Sequence, residues 1–264
     1  MRFPCAPHPL HAPDLTMLEK NVPRVLQRLS ASDVVLDIGG WACPFNRANY
    51  VLDAEPFETR GYYASIGRPA SQGGEAECFS EATWIRRDIC DKAPFPFADK
   101  AIDYVICSHV LEDIRDPIFV CSEMLRVAKR GYIEVPSRIS ETCRGSESLR
   151  SVGLTHHRWL IDLDEQRRHL SFLMKHHMIH SSRRFSFPPS FRRQLTAEDE
   201  VHCLFWDDEF SFGEVTIHGL QAIASELETY VSSKYRYTPM TLTFDRATQF
   251  VRAQVDRVSR RLGR

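Results

Sequence analysis

The 264-residue sequence lacks the features that mark several large classes of protein. No apolar run approaches the roughly 18 residues of a membrane span, so we expect no transmembrane segment. The first residues, MRFPCAPHPLHAPD, lack the apolar centre of a secretory signal, which predicts a cytoplasmic protein. Since 34 basic residues stand against 35 acidic ones, the sequence lacks the basic excess of a nucleic-acid-binding protein.

The eight cysteines follow no disulfide or zinc-binding pattern. They are scattered along the chain, at positions 5, 43, 78, 90, 107, 121, 143 and 203, and no two of them form a CxxC pair. Scatter of this kind is typical of reduced, partly buried thiols. We therefore predict neither a disulfide framework nor a metal site.

Short apolar segments alternate with helical or loop segments in the first half of the chain. Five of these segments predict buried strands: DVVLDIGG, YVLD, WIRR, DYVICS and YIEVP. Residues 109–129 predict a helix-rich connection between the last two. Strands that alternate with such connections indicate an α/β fold with a parallel sheet.

The second half has a different pattern. Apolar residues alternate over 159–163 and 170–174, and the polar DEQRR between them predicts a β-hairpin. A second pair of strands, 201–206 and 212–217, is joined by the acidic turn 207–209. Helices are predicted over about 219–233 and 243–262. The last is basic and amphipathic, which is compatible with contact to a membrane surface or with packing on the domain.

These patterns divide the chain into three parts that form one domain. Residues 1–30 form an N-terminal helical cap, 31–140 the core with the five strands, and 141–264 an extension of hairpins and C-terminal helices. Polar or acidic residues end the first four strands: Asp37, Asp53, Asp88, and Ser108 with His109. Because ligands bind outside the carboxyl ends of parallel strands, these side chains predict a binding site.

Four segments between Val34 and Pro136 resemble, in order, the class I S-adenosylmethionine-dependent methyltransferases, and most closely their bacterial type 11 group. They are VVLDIGG, YVLD, RRDICDKAPFPFADKAIDYVICSHVLEDIRDP and EMLRVAKRGYIEVPS. The resemblance implies a Rossmann-like, mostly parallel seven-stranded sheet with helices on both faces. It also implies S-adenosyl-L-methionine as cofactor and methyl transfer to a small-molecule or glycan acceptor, with oxygen favoured as the accepting atom.

The resemblance assigns cofactor-binding roles to eight residues: Asp37, Gly39, Gly40, Asp53, Asp88, Ile89, Ser108 and His109. It implies that the first three hold the methionine end, that Asp53 binds the ribose and that Asp88 with Ile89 binds the adenine. It places Ser108 and His109 beneath the sulfonium. The sequence departs from the family pattern at Trp41, where a further glycine is common, and at Asp113, where the family has histidine.

Histidines are concentrated after the fifth strand, at 156, 157, 169, 176, 177 and 180. The hairpin would bring His156 and His157 close to His176 and His177. Such a cluster could bind a transition metal, move a proton, recognise an anionic substrate, or form only a polar rim. We predict that His109, His156 and His157 lie on the acceptor side as the catalytic candidates.

Two other functions are compatible with the same fold. A non-catalytic binding or scaffold protein is one, because Trp41 lies in the predicted cofactor loop. An NAD-linked oxidoreductase is the other, but the segment GGWACP lacks both later glycines of the G-x-G-x-x-G fingerprint that holds a pyrophosphate. The methyltransferase interpretation is therefore favoured.

Overall fold

A computed structural model describes residues 16–148, 151–238 and 243. It contains nine strands in chain order: β1 (Val35–Ile38), β2 (Tyr50–Asp53), β3 (Trp84–Arg86), β4 (Tyr104–Ser108), β5 (Arg130–Pro136), β6 (Trp159–Asp164), β7 (His169–Met174), β8 (Val201–Asp207) and β9 (Ser211–Val215). The main sheet has the order β3-β2-β1-β4-β5-β8. Its first five strands are parallel and β8 is antiparallel to β5. The predicted α/β class with a mostly parallel sheet is confirmed.

The number of strands differs from the prediction of seven in one sheet. The main sheet has six, and a second sheet of three has the order β6-β7-β9. β6 and β7 form the predicted hairpin, in which Trp159 lies opposite Met174.

The predicted pairing of 201–206 with 212–217 is wrong. The two strands form, but β8 pairs with β5 in the main sheet, whereas β9 runs parallel to β7 in the second sheet. Each strand thus pairs with the unpaired backbone groups at the edge of a different sheet. The turn between the two strands does not determine which edge each strand joins.

Five helices are described: α1 (Asn21–Gln27), α2 (Pro117–Val127), α3 (Arg138–Glu141), α4 (Pro189–Arg192) and α5 (Leu220–Lys234). Asp116 caps α2 by accepting a hydrogen bond from the Phe119 N–H, and Pro117 begins the helix. α1 tolerates Pro23 because the proline lies in its first turn. α5 matches the helix predicted over 219–233. The helix predicted over 243–262, with its possible membrane contact, lies outside the described residues except for position 243.

The core has a layer on each face of the main sheet. Leu36, Val105 and Cys107 face α2 and the second sheet, whereas Val35 and Ile106 face α1. Helices therefore lie on both faces, as predicted. The seven cysteines within the described part of the chain are free thiols, as predicted. No helix in that part is both long and apolar enough to cross a lipid bilayer.

Candidate functional site

A cavity of about 470 Å³ opens at the carboxyl ends of β1, β2 and β4. It lies between β1 and β4, where the strand order reverses. The connections that follow these two strands leave in opposite directions, and this opens a crevice between them. All eight residues predicted to bind the cofactor line it: Asp37, Gly39, Gly40, Asp53, Asp88, Ile89, Ser108 and His109. The sheet thus brings together residues that are up to 72 positions apart in the sequence (37 to 109).

The turn after β1 requires glycine at two successive positions. Gly39 has a φ of 74°, and a Cβ atom there would lie 2.2 Å from Cγ2 of Val110. A Cβ atom at Gly40 would lie 2.2 Å from Oδ2 of Asp37. The backbone of this turn therefore approaches both neighbours closely and leaves one wall of the cavity without side chains.

Asp37 is a buried carboxyl group beneath this turn. Its Oδ2 accepts a hydrogen bond of 2.8 Å from the Phe45 N–H. Burial raises the pKa of Asp37 from 3.8 to about 7, and the charge of Asp53 adds to the rise, although the Phe45 hydrogen bond opposes it. Asp37 therefore titrates near neutral pH, unlike an ordinary aspartate.

This pKa predicts a pH-dependent stability. Because the proton binds the folded state more tightly than the unfolded chain, the contribution of Asp37 is complete below about pH 4 and is lost as the pH rises to about 7. An Asp37→Asn variant cannot titrate. We expect the free energy of unfolding of the wild type, relative to this variant, to fall by a few kcal/mol over this interval. Denaturant titrations at several pH values would measure the fall, and parallel profiles would contradict the assignment.

Asp53 ends β2 with both carboxylate oxygens turned to backbone N–H groups. Oδ2 accepts from Trp41 at 3.1 Å and Oδ1 accepts from Glu55 at 2.8 Å. Each oxygen keeps a second lone pair, so the carboxylate can also accept hydrogen bonds from a diol in the cavity. Burial, as the largest cause, raises the pKa of Asp53.

Asp88 lies at the exposed end of the cavity. Its Oδ1 accepts a hydrogen bond of 2.9 Å from the Cys90 N–H, and its Oδ2 is 2.5 Å from Nη1 of Arg115. The Cys90 hydrogen bond and the Arg115 guanidinium lower the pKa of Asp88, so the group is a carboxylate at neutral pH. Ile89 follows it as an apolar part of the wall.

Ser108 and His109 end β4 on the floor of the cavity. Oγ of Ser108 is buried without a hydrogen-bond partner, so it can bond to a ligand. His109 has a φ of 56° and lies between two carboxylates, with Nε2 3.2 Å from Glu134 and Nδ1 3.6 Å from Glu112. These carboxylates raise the pKa of His109 to about 10 despite the opposing effect of burial. A histidine protonated at neutral pH cannot accept a proton, so the geometry favours a positioning role.

The other two catalytic candidates lie in different environments. The His156 side chain is 54% exposed and lines the cavity together with Asp113. His157 is buried, with a 1% exposed side chain, and its Nδ1 is 3.1 Å from Oε1 of Glu141. His156 is thus the candidate that faces the acceptor end, whereas His157 lies behind it.

The histidines of the hairpin turn to separate partners. Nδ1 of His176 accepts a hydrogen bond from the Met178 N–H, and the His177 ring lies 6.4 Å from that of His180. His156 and His157 instead contact each other, with ring centroids 4.6 Å apart. The expected convergence of all four histidines does not appear in these contacts.

Comparison with known proteins agrees with this architecture. Residues 27–146 match the family model described as "Methionine biosynthesis protein MetW", which is just under half of the chain. No curated protein matches the chain significantly. The matched segment contains β1 to β5 and all eight residues at the cavity, and its strand order is that of the doubly wound sheets. This part of the chain is therefore similar to that family model, and its fold is the Rossmann-like, doubly wound α/β fold.

Solved structures similar to this chain include three from different sources. A chain of the Haloferax volcanii complex with the Trm112 methyltransferase activator is 20% identical, covers 44% of this chain and 51% of its own length, and has a TM-score of 0.31. A SAM-dependent methyltransferase from Aquifex aeolicus is 18% identical, and the match covers 45% of this chain and 65% of that protein with a TM-score of 0.28. A SAM-dependent methyltransferase from Methanosarcina mazei is 17% identical, and the match covers 53% of this chain and 85% of that protein with a TM-score of 0.32. The chain spans about half the length of the first of these structures.

The wall of the cavity also includes residues to which the sequence patterns assigned no binding role. Trp41 stacks on Tyr62 with ring centroids 5.0 Å apart, and its Nε1 donates to the Thr59 carbonyl at 2.8 Å. Gln72 also lines the cavity, and its side-chain amide donates to the Cys43 carbonyl at 3.3 Å. The aromatic pair Tyr62–Tyr63 in a polar segment was the available signal.

Proposed function

We propose that the cavity binds S-adenosyl-L-methionine and that the protein transfers its methyl group to an acceptor. The observation that carries this proposal is the shared cavity: a glycine turn without side chains, the Asp53 carboxylate and the orphaned Ser108 hydroxyl line one crevice. These groups fit the cofactor: a turn for its methionine end, an acceptor for its ribose diol, and a free hydroxyl near its sulfonium.

The bound cofactor supplies a methyl group on an already activated sulfonium, so the residues of the chain have to align the reactants. Asp53 holds the ribose, the Gly39–Gly40 backbone allows a close approach, and Ser108 positions the reacting end. Alignment and exclusion of water are worth up to ~7–11 kcal/mol in favourable cases.

The acceptor enters at the end of the cavity formed by Asp113 and His156. We propose a small molecule or a glycan, with oxygen as the accepting atom, because this wall is polar and partly open to solvent. The stacked Trp41 and Tyr62 form a flat aromatic surface on the cavity that could contact an adenine or a sugar face.

The other two functions have less support. Trp41 lies against Tyr62 at the wall of the cavity, so the departure from glycine does not by itself require a binding protein without catalysis. The Gly39–Gly40 turn leads into a three-residue 3₁₀ helix, Gly40–Ala42, which does not provide the α-helix N-terminus that binds a pyrophosphate.

His156 tests the acceptor side of this proposal. We expect His156→Gln to lower methyl transfer about 10²-fold, because a small misplacement of the acceptor has effects of that size, and to leave the affinity for S-adenosylhomocysteine unchanged. Transfer of a labelled methyl group into a cell metabolite extract would measure the first quantity, and calorimetry the second.

The matched control is His177→Gln, an exposed histidine of the same hairpin region that does not line the cavity. It should leave both quantities at wild-type values. Equal losses of transfer and of affinity in His156→Gln, or no loss of either, would remove His156 from the acceptor side.

A further inference from the structure

Three potential ligand atoms converge at the acceptor end of the cavity. Nε2 of His156 and Nε2 of His157 lie 3.9 and 3.7 Å from the same oxygen, Oδ1 of Asp113. One ligand atom from each residue lies within 4.8 Å of the others. Two imidazoles and one carboxylate are the donors of a facial three-ligand set for a divalent transition metal.

The spacing suits an ion better than direct bonding. Distances of 3.7 and 3.9 Å are too long for a hydrogen bond. Two atoms that each bind an ion at about 2.1 Å, at a tetrahedral angle, are separated by about 3.4 Å. Oδ1 of Asp113 is also buried without a hydrogen-bond partner, although such an atom ordinarily has one.

The far side of each imidazole faces a second carboxylate. Nδ1 of His156 is 3.4 Å from Oε1 of Glu147, and Nδ1 of His157 is 3.1 Å from Oε1 of Glu141. A carboxylate near Nδ1 leaves Nε2 as the nitrogen that faces the cluster, and this placement corresponds to the usual outer shell of a metal-binding histidine.

The outer carboxylates are themselves held in place. Glu147 accepts hydrogen bonds from the N–H and the hydroxyl of Thr155, at 3.0 and 2.6 Å. Glu141 accepts from Nζ of Lys175 at 2.6 Å. Both outer carboxylates are therefore held in place beside the two imidazoles.

The charge around the three donors also favours a cation. Three carboxylates, Asp113, Glu141 and Glu147, lie within 4 Å of the two imidazoles, and Glu112 is buried beside them with neither carboxylate oxygen hydrogen-bonded. Lys175 compensates one of these charges through Glu141. His109 faces Glu112, with Nδ1 3.6 Å from Oε1. A divalent ion would neutralise the remaining charge of Asp113 and Glu147, which face the imidazoles.

We propose that Asp113, His156 and His157 bind one divalent transition-metal ion of the Zn²⁺ class. Three protein ligands leave coordination positions free, and Asp113 and His156 also line the cavity. In its role, which rests on the proposed methyl transfer, the ion coordinates and orients the oxygen of the acceptor. The sequence predicted no metal because Asp113 lies 43 residues before His156.

The test is metal binding by untagged protein. Full-length protein is stripped with a chelator and dialysed against Zn²⁺, and the bound metal is measured by elemental analysis. We expect one ion per chain, and visible absorption bands of inner-sphere nitrogen ligands when Co²⁺ replaces Zn²⁺. Mg²⁺ should compete poorly, since imidazole donors suit transition metals.

Variants separate this site from adventitious binding. Asp113→Asn and His156→Gln should lose the ion and the Co²⁺ bands, whereas His177→Gln should keep both. Glu147→Gln should weaken binding about 10- to 100-fold through its effect on His156. Circular dichroism would show that each variant is folded.

Two outcomes would overturn the metal site: no stoichiometric ion in the wild type, or an ion that Asp113→Asn and His156→Gln retain. The first would show that these groups form only an ion-pair network. Titration of the stripped protein with S-adenosylhomocysteine keeps the two proposals separate, because cofactor binding without a metal would contradict only this inference, and a metal without cofactor binding only the proposed function.

Discussion

Replacing Gly39 with alanine should destabilise the folded protein by about 2–4 kcal/mol and remove cofactor binding. Two effects add: the backbone at Gly39 has a φ of 74°, and the new Cβ would lie 2.2 Å from Cγ2 of Val110. To relieve that contact, either Val110 or the Gly39 turn has to move, and both line the cavity. Chemical denaturation would measure the loss of stability, and calorimetry the loss of binding.

Gly67→Ala is the matched control for the backbone effect. Gly67 has a φ of 77°, but nothing lies within 4 Å of a Cβ atom there. We expect it to cost about 1 kcal/mol, from the left-handed conformation alone. In the Gly39→Ala background, Val110→Ala should recover part of the stability because it removes the clashing methyl groups. Equal losses in Gly39→Ala and Gly67→Ala, with no recovery, would contradict the close approach.

Replacing Asp53 with asparagine should weaken S-adenosylhomocysteine binding about 10- to 100-fold. The substitution keeps the size of the side chain and one acceptor oxygen, but it removes the charge and puts an NH₂ donor in place of the other oxygen. A ribose diol would then lose one or two charge-assisted hydrogen bonds. Calorimetric titration of both proteins measures the change directly.

Glu55→Gln is the control for Asp53→Asn. Glu55 is exposed two residues further along and does not line the cavity, but the same kind of charge is removed. It should bind as the wild type does. Because Asp53 also accepts from the N–H groups of Trp41 and Glu55, unfolding curves would show how much of any loss arises from the turn. Unchanged affinity in a folded Asp53→Asn protein would remove Asp53 from the site.

The parallel core is predictable because its strands are short, apolar and buried on both faces. The segments that contain Val35–Ile38 and Tyr104–Ser108 are such runs, and each has a polar residue, Asp37 or Ser108, within one residue of its carboxyl end at the same sheet edge. Because the strands are parallel, the residues at their carboxyl ends lie at the same edge of the sheet. The residues around the cavity can therefore be predicted from the sequence.

The extension is less predictable because its strands choose partners by tertiary contact. The turn at 207–209 indicates a chain reversal, yet Trp206 joins the main sheet opposite Gly131 and Phe212 joins the second sheet opposite Leu170. The open sheet edges at β5 and β7 decide these pairings. These edges form only when distant parts of the chain come together, so a local segment does not reveal them.

The histidines show the same limit at the level of side chains. Spacing along the hairpin placed four of them together, but His157 turns to Glu141 and His156 to Glu147 and Asp113. These carboxylates come from two segments of the chain, the one after β4 and the one after β5, so no local pattern identifies the pairing. The raised pKa of His109 likewise has two causes, Glu112 three residues away and Glu134 25 residues away, and no local pattern indicates the second.

Calorimetric titration of the wild-type protein with S-adenosylhomocysteine is the most direct test of the cofactor site. We expect saturable heat with one molecule bound per chain, competition by S-adenosyl-L-methionine, and no heat with NAD. A folded protein that shows no heat with S-adenosylhomocysteine at millimolar concentration would contradict the proposed function, whatever ion or acceptor the rest of the cavity binds.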